Sequence, residues 1–89
     1  RIGGEEFAVI IDTSNQRDAE AFIHDLQEIV AHRRFRTTSG DPVSVTISVG
    51  VAHSRTGETL KRTLKRADVA LYQAKKSGRN QVIVSLPMQ

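Results

Sequence analysis

The sequence predicts a layered fold, α/β or α+β, and three patterns predict it. Phe7 to Ile11 ("FAVII") is a short, unbroken apolar run. Two longer stretches, over 15–35 and 59–78, place apolar residues at helical spacing. Val43 to Ala52 ("VSVTISVGVA") alternates between large apolar residues and small or polar ones. The order that results is strand, helix, strand, helix, strand, with no linker, internal repeat or low-complexity segment between them.

Each element has a local reason. The FAVII run suits a strand covered on both faces. Asp12 to Asn15 is a turn cluster in which Asn15 can cap a helix, and Asp18 favours the positive end three residues on. Ala19, Phe22, Ile23, Leu26, Ile29 and Val30 then form one apolar stripe. The helix is expected to end near "HRRF", where Arg33 and Arg34 suit its negative end. "TTSGDP" follows as a loop.

In the alternating segment Val43, Val45, Ile47, Val49 and Val51 share one face, and Ser44, Thr46, Ser48 and Gly50 share the other. That period of two predicts a strand over 43–52. The small second face predicts an element packed closely over it, with Gly50 marking a bulge or a close backbone approach. "HSRTGE" is a second loop, and Thr59 can cap the second helix. Leu60, Leu64, Ala67, Leu71 and Ala74 give that helix a narrow apolar seam. Gly78 is the expected left-handed residue at its end. Gln81 to Val84 reads as a last strand and 86–89 as a frayed tail, which leaves 1–85 as the domain.

Composition narrows the function classes. Eighty-nine residues suffice for one small domain. With 38% apolar and 26% charged residues the chain reads as globular rather than disordered. Without cysteine it has no disulfide, thiolate metal site or thiol nucleophile. No apolar run is long enough to span a membrane. The formal net charge of +3 is either a solvated surface or the mark of an anionic partner such as a nucleotide or nucleic acid.

Two constellations could carry chemistry. In "RIGGEEF" the paired Gly3 and Gly4 allow positive φ and let a backbone amide approach a ligand. Glu5 and Glu6 follow at once, and at a turn both could reach one cation cluster. Carboxylate oxygen suits Mg²⁺, which completes its shell with water and phosphate oxygens. On pattern alone a Gly-Gly hairpin with two solvated glutamates is the plainer reading. The second constellation is "AKKSGRN". Lys75 and Arg79 are four apart and share a face if the helix runs through both. Lys offers a point charge and Arg a planar fork to phosphate oxygens. Alone, these cations equally read as complements to the helix dipole.

Other patterns count against other functions. Lys61, Arg62, Lys65 and Arg66 read as a solvated helix face. No aromatic residues interleave with them to stack bases, so nucleic acid is not expected as a partner. His24, His32 and His53 are scattered and match no zinc spacing, with His24 placed on or beside the apolar stripe. No serine sits in a nucleophile elbow.

Taken together, "RIGGEEF" at Arg1 to Phe7, "VTISVGVA" at Val45 to Ala52 and "RADVALYQAKKSGRN" at Arg66 to Asn80 resemble the GGDEF domain, the diguanylate cyclase family, in order and rough spacing. The likeness covers nearly the whole chain. Glu5 stands where the family motif has Asp or Glu. The resemblance implies a palm-like (ferredoxin-like) cyclase sheet with helices packed on it. It implies condensation of two GTP molecules into cyclic di-GMP with release of two pyrophosphates, across a homodimer of domains that each hold one GTP. It implies that Glu5 binds metal and helps deprotonate the attacking hydroxyl, that Glu6 supports the metal site, and that two Mg²⁺ ions complete it. Gly3 and Gly4 would let the backbone pass the nucleotide, and Lys75 and Arg79 would hold the terminal phosphates. Asp68 would be structural, paired with a nearby basic residue.

A complete family domain carries a further strand, two helices and the first hairpin strand before this point. These supply an Asp metal ligand, the residues that read guanine and, in some members, an R-x-x-D product site. Arg1 is therefore expected to be a fragment boundary. The fragment is expected to be inactive alone and to self-associate over the exposed sheet edge. The implied location is cytoplasmic, with room for a membrane tether in an N-terminal region. Two other functions stay open: a non-catalytic module that binds GTP or cyclic di-GMP, and a basic α/β nucleic-acid module.

Overall fold

The computed structural model describes residues 15–85. The apolar run at Phe7 to Ile11, the turn from Asp12 to Ser14 and the tail at 86–89 lie outside the described residues. Helix α1 spans Gln16–His32. It starts where Asn15 holds extended backbone and its side-chain oxygen accepts from the Asp18 N–H at 3.2 Å. It ends at Arg33, whose N–H donates to the Val30 carbonyl.

The apolar stripe of α1 divides. Ala19, Ile23 and Val30 are half-buried, whereas Phe22, Leu26 and Ile29 are 57%, 41% and 59% exposed. The most covered residue of the helix is Gln27, at 7%. The contact line therefore runs to one side of the predicted stripe. His24 is exposed.

After α1 the chain makes a hairpin that the sequence reading gave as a loop. Strand β1 (Phe35–Arg36) pairs antiparallel with β2 (Pro42–Val43), Phe35 opposite Val43 and Arg36 opposite Pro42. Its turn closes with Thr37 N–H to the Asp41 carbonyl and Gly40 N–H to the Thr37 carbonyl, both 2.9 Å. Gly40 takes φ +88°, a conformation that L side chains rarely adopt. Pro42 has no N–H to offer a neighbour, which suits so short an edge.

Among the described residues the expected strand over 43–52 is therefore paired only at its two ends. Pro42–Val43 belongs to the hairpin and β3 is confined to Val49–Val51. The alternation persists between them, with Val45 and Ile47 half-buried and Ser44 and Thr46 exposed. Period two reports a one-sided surface. A ladder needs in addition a partner strand.

Strand β3 pairs parallel with β4 (Val82–Val84), with Val49, Gly50 and Val51 opposite Val82, Ile83 and Val84. Helix α2 (Leu60–Lys76) joins them as the crossover that a parallel pair requires. Thr59 caps it as expected, its hydroxyl oxygen accepting from the Arg62 N–H at 3.2 Å. The small face of β3 is where α2 sits. A Cβ added at Gly50 would lie 2.2 Å from the Ala67 carbonyl oxygen and 2.3 Å from the Leu71 nitrogen. Helix and strand thus touch backbone to backbone, the close approach that the small residues predicted.

The expected α2 seam holds at Leu64, Ala67 and Leu71, half-buried, and at Ala74, and the covered surface is wider than that seam. Ala74 and Ala70 are 0% and 2% exposed and Thr63 is 8%, while Leu60, expected in the seam, is 58% exposed. Small side chains win the inner position because nothing larger fits where the backbones meet. The fold is α+β, with α2 seated on the β3–β4 pair, α1 packed beside the same pair, and Gln27 of α1 bonded to Asn80 in the loop before β4.

Candidate functional site

The cationic end of α2 is the sequence-predicted site that the described residues include. The helix ends at Lys76, so Lys75 and Arg79 do not share one helical face. Ser77 is the cap and Gly78 follows at φ +114°. The Arg79 N–H donates to the Ala74 carbonyl at 2.9 Å, the long return bond of a glycine-terminated helix.

The chain then does something the sequence did not announce. Arg79 (φ +64°) and Asn80 (φ +49°) both stay in the left-handed region. For a residue such as Arg79 this costs roughly 1–2 kcal/mol, and less for Asn80, whose short polar side chain tolerates it. The loop is held there by bonds from three directions. The Gln27 side-chain amide of α1 donates to the Asn80 side-chain oxygen at 2.6 Å and to its carbonyl at 3.3 Å. The Asn80 N–H donates to the Ser48 hydroxyl oxygen at 3.2 Å. The Gln81 amide donates to the carbonyls of Ser77 and Arg79 at 3.0 and 3.1 Å.

Arg79 itself is exposed, and its guanidinium has no hydrogen-bond or ion-pair partner among the described residues. Lys75 is half-buried at the last-but-one position of the helix. Lys76 points elsewhere, its ammonium 5.8 Å from the centroid of the Tyr72 ring. The arrangement offers an anion a planar five-donor fork on a backbone fixed by other groups.

A second polar cluster is structural. The Arg66 guanidinium donates to both carboxylate oxygens of Glu58, at 2.7 and 2.9 Å. It also donates to the His53 carbonyl and to the Ser85 hydroxyl. The Thr63 hydroxyl donates to Glu58 at 2.7 Å. Arg66, and next Thr63, hold the Glu58 carboxyl well below the usual carboxylate range. Arg66 is therefore not part of a solvated face, although Lys61, Arg62 and Lys65 are exposed. Asp68, expected to pair with a basic residue, is exposed and has no such partner among the described residues. Among the described residues the acid that pairs with Arg66 is Glu58, ten residues before Asp68. On α1, Glu20 meets the His53 ring nitrogen at 2.5 Å and ties the helix to the loop after β3.

The other expected site residues, Gly3, Gly4, Glu5 and Glu6, lie outside the described residues. Among the described residues no group of three or more His, Cys, Asp or Glu could hold a metal ion. No described helix is long and apolar enough to cross a membrane. Sequence reasoning missed Gln27 and Asn80. The available signal was an amide at position 27, between Ile23 and Val30 at helical spacing, where an apolar residue would be expected.

Comparison with known proteins adds the wider context. A family model described as "Diguanylate cyclase, GGDEF domain" matches residues 1–81. The response regulator PleD of Caulobacter vibrioides is 42% identical over 85 residues, which cover 93% of this chain and 19% of that protein. Diguanylate cyclase A of Treponema denticola is 36% identical over 86 residues, covering 96% of this chain and 23% of that protein. The chain thus spans about a fifth of the length of these curated relatives. Among solved structures, the GGDEF domain of DgcB from Caulobacter crescentus in complex with c-di-GMP superposes with a TM-score of 0.75 at 26% identity. The match covers 81% of this chain and 42% of that one.

Proposed function

This chain belongs to the GGDEF, diguanylate cyclase family, and from that premise we propose that it supplies part of a site that condenses two GTP molecules into cyclic di-GMP. The carrying observation is the exposed Arg79 fork, without a side-chain partner among the described residues, on the clamped loop after α2, with Lys75 four positions before it. In this reading the two cations hold the terminal phosphates of GTP. That leaves the α-phosphorus open to the 3′-hydroxyl of a second nucleotide, held by a second copy of the domain. Attack forms one P–O bond, the bond to the bridging oxygen breaks, and pyrophosphate leaves with the electron pair. Two such steps close the cyclic dinucleotide and release two pyrophosphates.

Glu5 accepts the hydroxyl proton in this reading, and Glu6 supports the same site. Their carboxylates are hard oxygen donors of the kind Mg²⁺ takes, so the donor chemistry fits that ion through these two residues. When bound, Mg²⁺ neutralises charge that develops on the phosphoryl oxygens. Gly3 and Gly4 let the backbone run close to the nucleotide. Charge neutralisation and in-line positioning are what phosphoryl-type transfer asks of a protein.

The test is formation of cyclic di-GMP from GTP in the protein at its natural length. Glu5→Gln is expected to abolish product and leave the fold intact, and Arg79→Ala or Lys75→Ala to weaken GTP binding about tenfold. Unchanged turnover in Glu5→Gln would remove the catalytic assignment. A second reading, a regulatory module that binds cyclic di-GMP without making it, is favoured by the bound c-di-GMP in the DgcB relatives. Tight product binding with no turnover of GTP would select it.

A further inference from the structure

We infer that Gln27 is a positioning residue for Arg79, acting from α1 through Asn80. The inference rests on the proposed phosphate-holding role of Arg79. Four observations carry it. Gln27 is the most covered residue of α1, at 7% exposure, although Phe22, Leu26 and Ile29 on the same helix face solvent. A polar side chain in the covered place of an otherwise apolar contact line is costly unless its groups are bonded. Its amide is bonded, to a residue 53 positions away, at 2.6 Å to the Asn80 side chain and 3.3 Å to the Asn80 carbonyl. The backbone it grips holds two successive non-glycine residues at positive φ, one of them Arg79.

Left to itself, such a segment relaxes toward negative φ, because the left-handed region is disfavoured for a residue with a Cβ, strongly for Arg79 and less so for Asn80. Relaxation at 79 and 80 would redirect the Arg79 side chain from its root. The Gln27 bonds oppose it from the α1 side, and the Ser48 hydroxyl opposes it by accepting the Asn80 N–H at 3.2 Å. The Asn80 side chain is thus a latch between α1 and the loop. What the latch fixes is the direction from which the guanidinium fork approaches an anion. A bidentate fork depends on that direction far more than a point charge does.

The test uses the protein at its natural length, with GTP affinity and KM and kcat read separately. Gln27→Met removes the donor at nearly constant volume. It is expected to weaken GTP binding three- to tenfold with kcat changed less than twofold. In an Arg79→Ala background Gln27→Met should add nothing further, because its effect runs through Arg79. Ser48→Ala loosens the same latch from the other side and decides the matter if Gln27→Met fails to fold. Full GTP affinity in these latch variants, alongside a tenfold loss in Arg79→Ala, would overturn the inference and leave the phosphate role of Arg79 standing. Full affinity in Arg79→Ala would overturn that role and the inference together.

Discussion

Replacing Gly50 with Ala is expected to destabilise the chain by about 2–3 kcal/mol, at the upper end of what overpacking costs. The figure comes from the seating of α2 on β3. The new Cβ would meet the Ala67 carbonyl oxygen at 2.2 Å, the Leu71 nitrogen at 2.3 Å and the Leu71 Cα at 2.8 Å. All three are helix backbone, so no rotamer change relieves the clash. Ordinary carbon contacts begin near ~3.5 Å, so α2 would have to rise by roughly 1 Å. That lift would open the layer that covers Ala70 and Ala74. For a domain of this length the expected fall in Tm is roughly 10–20 °C. Thermal and urea unfolding followed by far-UV circular dichroism, at one fixed protein concentration, would measure it. Gly57→Ala is the control, since Gly57 has open space around its Cβ position but holds φ +79°. It should cost only about 1 kcal/mol, from backbone strain. A loss at Gly50 no larger than the loss at Gly57 would refute the backbone-to-backbone seating.

Three further outcomes are expected. Glu58 has a carboxyl pKa depressed by Arg66 and Thr63 from an ordinary value of 4.5. Its contribution is complete above that value and is lost as pH falls toward the lower folded one. Glu58→Gln should therefore be less stable at neutral pH and lose less on acidification below pH 4.5, as read by urea midpoints across pH. Asn15→Ala, which removes the acceptor for the Asp18 N–H, should cost about 1 kcal/mol and fray the start of α1, with faster amide exchange in the first turn as the readout. The chain alone is expected to sediment as more than a monomer, because Phe22, Leu26 and Ile29 lie exposed together on α1. A monodisperse monomer with a sharp melting transition would count against that.

What the sequence disclosed follows the range of the forces involved. The caps at Asn15 and Thr59 and the left-handed Gly78 were legible because each depends on neighbours within a few residues. The seating of α2 over Gly50 was legible because a row of small residues has few other uses. Which side of each helix is covered was less legible. Apolar spacing marks a stripe, but a partner element decides whether Leu26 or Gln27 turns inward. The Phe35–Val43 hairpin was hidden in turn-forming residues, and it took Val43 away from the strand that alternation had assigned it. In the site, the cations at 75 and 79 were visible as a pattern of charge. The Gln27–Asn80 latch was not, because its partners are 53 positions apart and amides carry no spacing rule.

The thin apolar interior carries a thermodynamic consequence. Among the described residues the hydrophobic side chains covered almost completely are two alanines, Ala70 and Ala74. The Arg66–Glu58 and Gln27–Asn80 pairs do much of the joining. Unfolding residues 15–85 therefore exposes less new hydrocarbon to water than a core of large, fully covered side chains would, which lowers their share of the heat-capacity increment. A smaller increment flattens the free-energy dome, so the stability of this part is expected to weaken only slightly toward the freezing point.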